Sequence, residues 1–168
     1  AEQFGKLFWA SGCSVFADRV LELVFVCDGA NWIWKLVSHY YPGAIQIVDW
    51  YHAEERLERI AEEAFSELAE RQPWLENITE ALWNGNVEFV LEACQSISKK
   101  SSLAKQALTY FGNHSERMRY AHFRTAGYLI GSGVIESGCK QIVARRLKLP
   151  GAQWNLEGAI LTAKARCA

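Results

Sequence analysis

The chain has 168 residues, 50% hydrophobic and 12% aromatic, which supplies a real core for one domain and excludes a disordered or collagen-like polypeptide. No apolar run approaches the roughly 18 residues that a membrane-spanning helix needs, and nothing like a secretory leader opens the chain, so a cytoplasmic location is expected. The net charge of −1 conceals a polarity: residues 1–92 carry 16 acids and 6 bases, whereas residues 93–168 carry 3 acids and 12 bases. Such asymmetry raises the prospect of a polyanionic partner, although two solvated faces that attract each other within one fold are the commoner source. The five cysteines are scattered, odd in number and show no CxxC pair, which predicts reduced thiols and not a zinc ribbon or a disulfide framework.

The apolar spacing of Phe4, Leu7, Phe8, Phe16, Val20 and Leu21 predicts a helix over 2–21, with Gly12 as a candidate break. Leu23–Cys27 is a short, wholly apolar, β-rich run ended by Asp28-Gly29, the pattern of a strand buried on both faces. Asn31 is placed to cap a helix running to Tyr41, which Pro42-Gly43 stops. Ala44–Val48 is a second strand, again ended by an acid, Asp49. Strand, helix and strand with short joints predict a βαβ unit with parallel strands. Residues 53–126 then read as helices alone: Ala53–Arg71, broken by Pro73, followed by Asn77–Trp83, Val87–Ile97, Leu103–Phe111 and Ser115–Phe123. Gly127–Gly133 is a loop or a short extended piece. A helix from Ser132 or Gly133 to Leu149 and a last one over Trp154–Ala165 complete a basic tail. The expected organisation is therefore predominantly helical α/β: a βαβ piece over 1–52, a helical block over 53–126 and a return over 127–168. Two strands make a poor sheet, so further strands are expected from upstream or from a partner.

Asp28 and Asp49 close adjacent parallel strands, at the edge where open α/β sheets place their sites. Two carboxylates there can share a hard divalent cation such as magnesium; Asp also serves routinely in turns and helix caps. Asp49 and His52, three residues apart at a strand-to-helix junction, suit a ligand pair or a proton-transfer pair, and equally a cap beside a half-buried histidine. Glu136 lies in a glycine-flanked segment, Gly131–Lys140, where glycine lets a ligand or another backbone approach closely. Lys140, Arg145, Arg146 and Lys148 follow on the same predicted helix and fit phosphate contacts, or simply the polar side of an amphipathic helix. His114, Arg117, Arg119, His122 and Arg124, mixed with aromatics, could line a nucleic-acid path or form a solvated helix face.

Taken together, Val26–Trp34, Gln46–Ala53 and Gly127–Lys140 with Arg146-Leu147-Lys148, Gly151 and Trp154 resemble, in order and spacing, bacterial insertion-sequence transposases of the DDE type, in the Mutator-like group. The resemblance spans Leu23 to Gly158. It implies a partial RNase H-like core with an all-helical insertion, and metal-dependent cleavage and strand transfer on transposon-end and target DNA. It makes Asp28 the second catalytic acid and Glu136 the last, together holding Mg2+ or Mn2+ in a two-metal site, with Asp49 a further candidate ligand. Asp49 and His52 match the group's Asp-x-x-His motif, whose role is open. Lys140, Arg145, Arg146 and Lys148 would contact DNA, the protein would be nucleoid-associated, and a homo-oligomer is allowed. The first catalytic Asp has no match here and is expected upstream of Ala1, so the chain is expected to be a C-terminal fragment, inactive alone. The alternatives are a non-enzymatic remnant that binds DNA or a protein partner, and an unrelated α/β metal-dependent phosphoesterase. In a shared site the Asp28 and Glu136 carboxylates should lie on the order of 4–8 Å apart.

Overall fold

The structure is a computed structural model that describes residues 2–133, 137, 140, 147–148, 151 and 153–167. It is predominantly helical α/β, with one two-stranded parallel sheet. The chain divides into two compact units, Ala1–Gly131 and Ser132–Ala168.

In the first unit, α1 (Glu2–Ser14) runs straight through Gly12 and ends earlier than its apolar spacing predicts. The Ser14 hydroxyl turns back to the Ser11 carbonyl, and Phe16 adopts a left-handed φ of 62°. Phe16, Val20 and Leu21 therefore leave the helical register. The βαβ unit forms as expected. β1 (Val24–Cys27) pairs in parallel with β2 (Ile45–Val48), Cys27 lying opposite Val48, and α2 (Asn31–Tyr40) crosses between them. Asn31 is the first helical residue and not the cap; the cap position falls to Ala30, whose N–H is taken by the Asp28 carboxylate at 3.0 Å.

The helical block begins with α3 (Trp50–Ala64) and α4 (Leu68–Trp83). The expected break at Pro73 is displaced: Pro73 sits inside α4, and the chain instead turns at Phe65, where φ and ψ are extended. Leaving the helix there brings the Phe65 ring to 5.6 Å from that of Trp74. α5 (Val87–Ile97) starts after Asn86, whose side chain accepts from the Phe89 N–H at 3.1 Å, and α6 (Ser102–His114) starts after Ser101, which accepts from the Ala104 N–H at 2.9 Å. Both are ordinary N-caps that satisfy donors a helix start leaves open. Glu63 of α3 reinforces the second, accepting from the hydroxyls of Ser101 and Ser102 and from the Leu103 N–H. A 3-10 turn (Ser115–Met118) and α7 (Tyr120–Thr125) close the block.

One apolar core joins the βαβ unit to the helical block. Ile47 and Val48 of β2 and Trp50, Leu57 and Ile60 of α3 pack in the same cluster as Val90, Phe111 and Tyr120. In the second unit, α8 (Leu156–Cys167) starts two residues after the expected Trp154, and the Asn155 carboxamide accepts from the Gly158 N–H at 2.6 Å. Most of the helix expected over 133–149 lies outside the described residues. Among the described residues, no helix is long and apolar enough to cross a membrane.

Candidate functional site

The carboxyl edge of the sheet brings together two of the residues singled out in the sequence. Asp28 and Asp49 directly follow the paired residues Cys27 and Val48, and the Asp49 N–H extends the ladder to the Cys27 carbonyl at 2.8 Å. Their fields overlap at Cys27: burial first, then Asp28 and Asp49, pushes that thiol up to about 11.

The two acids differ in what they do. Asp49 is 1% exposed. One of its carboxylate oxygens accepts from the backbone N–H groups of Tyr51 at 2.9 Å and His52 at 3.4 Å, capping α3. His52 folds back on the same oxygen, with Nδ1 3.5 Å away and the ring half exposed. The Asp-x-x-His pair is thus a helix N-cap with a histidine set against the capping carboxylate. Asp28 is exposed, and its one described side-chain hydrogen bond is to Ala30. Both acids are legible in the sequence; which of them faces solvent is not.

Two tyrosines of the helical block grip this edge. The Tyr110 hydroxyl of α6 donates to the Asp28 carbonyl at 3.1 Å, and the Tyr120 hydroxyl of α7 donates to the Val48 carbonyl at 3.0 Å. Arg56, two turns along α3 from Asp49, holds its guanidinium carbon 4.0 Å over the Tyr110 ring, a cation–π contact. Its buried Nε has no hydrogen-bond partner among the described residues. Burial raises the Tyr110 phenol's proton affinity and the Arg56 charge opposes it. The sequence singles out neither Arg56 nor Tyr110, and Tyr120 only as an aromatic of the basic–aromatic stretch. The available signal was partial: Arg56 is seven residues from Asp49 and so on the same helix face, whereas the tyrosines reach the edge from 82 and 72 residues away.

The chain then comes back. The Ile130 carbonyl accepts from the Trp50 N–H at 2.9 Å, beside Asp49. Gly131 passes so close to Tyr51 that a Cβ there would stand 2.8 Å from the ring. The excursion between the two halves of the expected site thus ends at the edge where it began, five residues before Glu136. Glu136, Arg145 and Arg146 lie outside the described residues, so the expected Asp28–Glu136 separation is not on view. Lys140 and Lys148 are exposed. Among the described residues no three His, Cys, Asp or Glu side chains cluster as a metal-holding group.

The basic–aromatic stretch is built largely into the structure. Met118, Tyr120 and Phe123 are buried. Arg117 Nε donates to the Gln46 carboxamide at 2.7 Å, and Arg124 lies 3.9 Å over the Trp83 ring while donating to the Trp83 carbonyl. His114 is 3% exposed beside the Asp28 turn. Burial, and next the Arg117 charge, hold its ring below the usual 6.5, while a hydrogen bond to the Gly29 backbone opposes them. The unfolded chain therefore takes up a proton at this histidine before the folded one does. Its contribution is whole above about pH 6.5 and is lost as the pH falls from there through the lower folded value. Melting curves at mildly alkaline and mildly acidic pH should show wild-type losing more stability on acidification than His114→Gln; equal losses would remove His114 as the cause.

No protein-family model, no curated protein and no solved structure matches the chain.

Proposed function

We propose that the chain is the C-terminal part of a DDE-type DNA transposase, with a partial RNase H-like core interrupted by the helical block. The observation that carries this reading is the shared edge: two parallel strands end in acids there, and the chain returns to it at Ile130 just ahead of Glu136. A helical excursion that leaves a sheet edge and comes back to it is what a site built from Asp28 and Glu136 requires.

The donor chemistry suits a hard divalent ion in part. Asp28 is an exposed oxygen donor, whereas Asp49 is occupied as a cap, so the ligand roles fall to Asp28 and, by the resemblance, Glu136. Mg2+ or Mn2+ held by these carboxylates would activate a water or a DNA 3′-hydroxyl and stabilise the leaving oxygen. The chain's own part is positioning. Tyr110 fixes the Asp28 backbone, Tyr120 fixes the Val48 backbone, and Arg56 sets a positive charge over the Tyr110 ring. Lys140, Arg145, Arg146 and Lys148 would neutralise phosphates of transposon-end or target DNA without reading sequence. With the first acid expected upstream, the chain alone is not expected to cut DNA.

Two measurements test this. Mn2+ binding followed by electron paramagnetic resonance should weaken at least tenfold in Asp28→Asn and in Glu136→Gln and be little changed in Asp49→Asn; equal affinity in all four proteins would remove the site. Binding of labelled duplex DNA should fall with salt at about −0.9 in log–log slope per phosphate contact, so about −3 to −4 for four cations. Replacing the four by alanine should flatten the slope. An unchanged slope and affinity would leave the DNA assignment without support. Metal-dependent cleavage by the chain alone, abolished by Glu136→Gln, would overturn its expected incompleteness.

A further inference from the structure

α3 and α4 line an open groove of about 600 Å3. Its floor is apolar: Trp50, Leu75 and Trp83, with the two indole rings edge to face at 4.9 Å. Its walls are two rails of carboxylates, Glu54 and Glu58 on α3 and Glu76 and Glu80 on α4. Within each rail the spacing is four residues, one helical turn.

Like charges at that spacing repel, and helices usually interleave them with Lys or Arg. Here, among the described residues, none of the four glutamates pairs with a cation. Gln72 donates to Glu76 at 2.8 Å, and Trp50 donates to Glu54; neither neutralises charge. Burial and the adjacent Glu58 raise the proton affinity of Glu54, which is what an uncompensated carboxylate in a half-dry groove does. The Arg124 guanidinium is stacked on the ring of Trp83, 3.9 Å from its centre. Four of the 16 acids of residues 1–92 thus line one groove whose floor is aromatic.

From this we infer that the α3–α4 groove is a docking site for a basic amphipathic helix of a partner protein. The match is chemical and geometric. Lys or Arg side chains one turn apart on an incoming helix meet the carboxylate rails at the same repeat, and an apolar stripe beside them covers Trp50, Leu75 and Trp83. Aromatic faces also accept the cationic heads and their methylene stems. Recognition of an amphipathic helix by an apolar groove with complementary charge is a recurrent mode of peptide binding. The same acidic rails repel nucleic acid, so this face does not serve the DNA contacts proposed above and the inference does not depend on them.

The probe is a fluorescein-labelled synthetic helix of Ala, Leu and Lys with leucines on one stripe and lysines at every fourth position beside it. Its control is a peptide of identical composition with the lysine and leucine order scrambled. Fluorescence anisotropy should show the patterned peptide bound at least tenfold more tightly than the scrambled one. The variant Glu54→Gln/Glu58→Gln/Glu76→Gln/Glu80→Gln, isosteric and checked for an unchanged circular dichroism spectrum, should lose at least tenfold in affinity. Leu75→Ala should weaken binding at high salt as well as at low, because it removes floor contact and not charge. Equal binding of the two peptides, or an undiminished affinity in the four-glutamine variant, overturns the inference. Sedimentation that reveals a dimer of this chain abolished by the same variant also overturns it, because the occupant is then a second copy.

Discussion

Replacing Tyr120 by alanine is expected to cost about 3–5 kcal/mol of folding stability, the range for deleting a large buried aromatic side chain. Tyr120 is fully buried, stands edge to face with Trp50 at 5.1 Å, and donates its hydroxyl to the Val48 carbonyl at 3.0 Å. The side chain therefore joins three things at once: α7, the start of α3 and the end of β2. Against a typical domain stability of about 5–15 kcal/mol, its loss is a large fraction of the whole. Tyr120→Phe keeps the ring and removes the donor, leaving the Val48 carbonyl without this partner, and should cost about 1–3 kcal/mol. Urea denaturation of the two variants separates packing from hydrogen bonding. An alanine variant within about 1 kcal/mol of wild-type would mean that the helical block does not depend on this anchor. The phenol stays protonated throughout the accessible range, since burial raises its proton affinity strongly, so the effect should not vary with mild changes of pH.

The second large effect is expected at Gly29. Its φ is +91°, a backbone conformation that costs a residue with a Cβ about 1–2 kcal/mol. A Cβ built there would also stand 2.7 Å from the Tyr110 hydroxyl oxygen and 2.8 Å from its ring. Tyr110 cannot swing away cheaply, because its hydroxyl holds the Asp28 carbonyl and its ring lies under the Arg56 guanidinium. Strain and the lost hydrogen bond together predict about 2–4 kcal/mol for Gly29→Ala. The clash is separable from the backbone strain. In the double variant Gly29→Ala/Tyr110→Ala the steric conflict is gone, so the combined cost should fall short of the sum of the single costs by about 1 kcal/mol or more. Strict additivity would show that Tyr110 does not confine the Asp28 turn. Because the turn carries Asp28, Mn2+ affinity measured on the Gly29→Ala variant should fall together with stability.

By itself, the sequence determined the elements whose causes are local. Both strands are short apolar runs closed by an acid, and α5 starts after Asn86 as its apolar spacing predicts, because strand burial and helix caps are written within a few residues. The parallel pairing followed from a short crossover, which admits little else. Asp28 and Asp49 were placed at one edge by the same logic. Where a local rule competed with packing, packing won: Pro73 is carried inside α4, and the helix ends instead at Phe65, whose ring packs against Trp74. Only the tertiary structure decided what each acid does. Asp49 is buried as a cap, next to the point where the Trp50 N–H meets the Ile130 carbonyl, while Asp28 is left exposed. Tyr110 and Tyr120 meet that edge across separations that leave no periodic trace, since a hydrogen bond from a helix to a distant carbonyl imposes no pattern on the residues between. The acidic groove divides in the same way: its four-residue spacings are plain in the sequence, but two such rails face each other only because α4 folds back along α3.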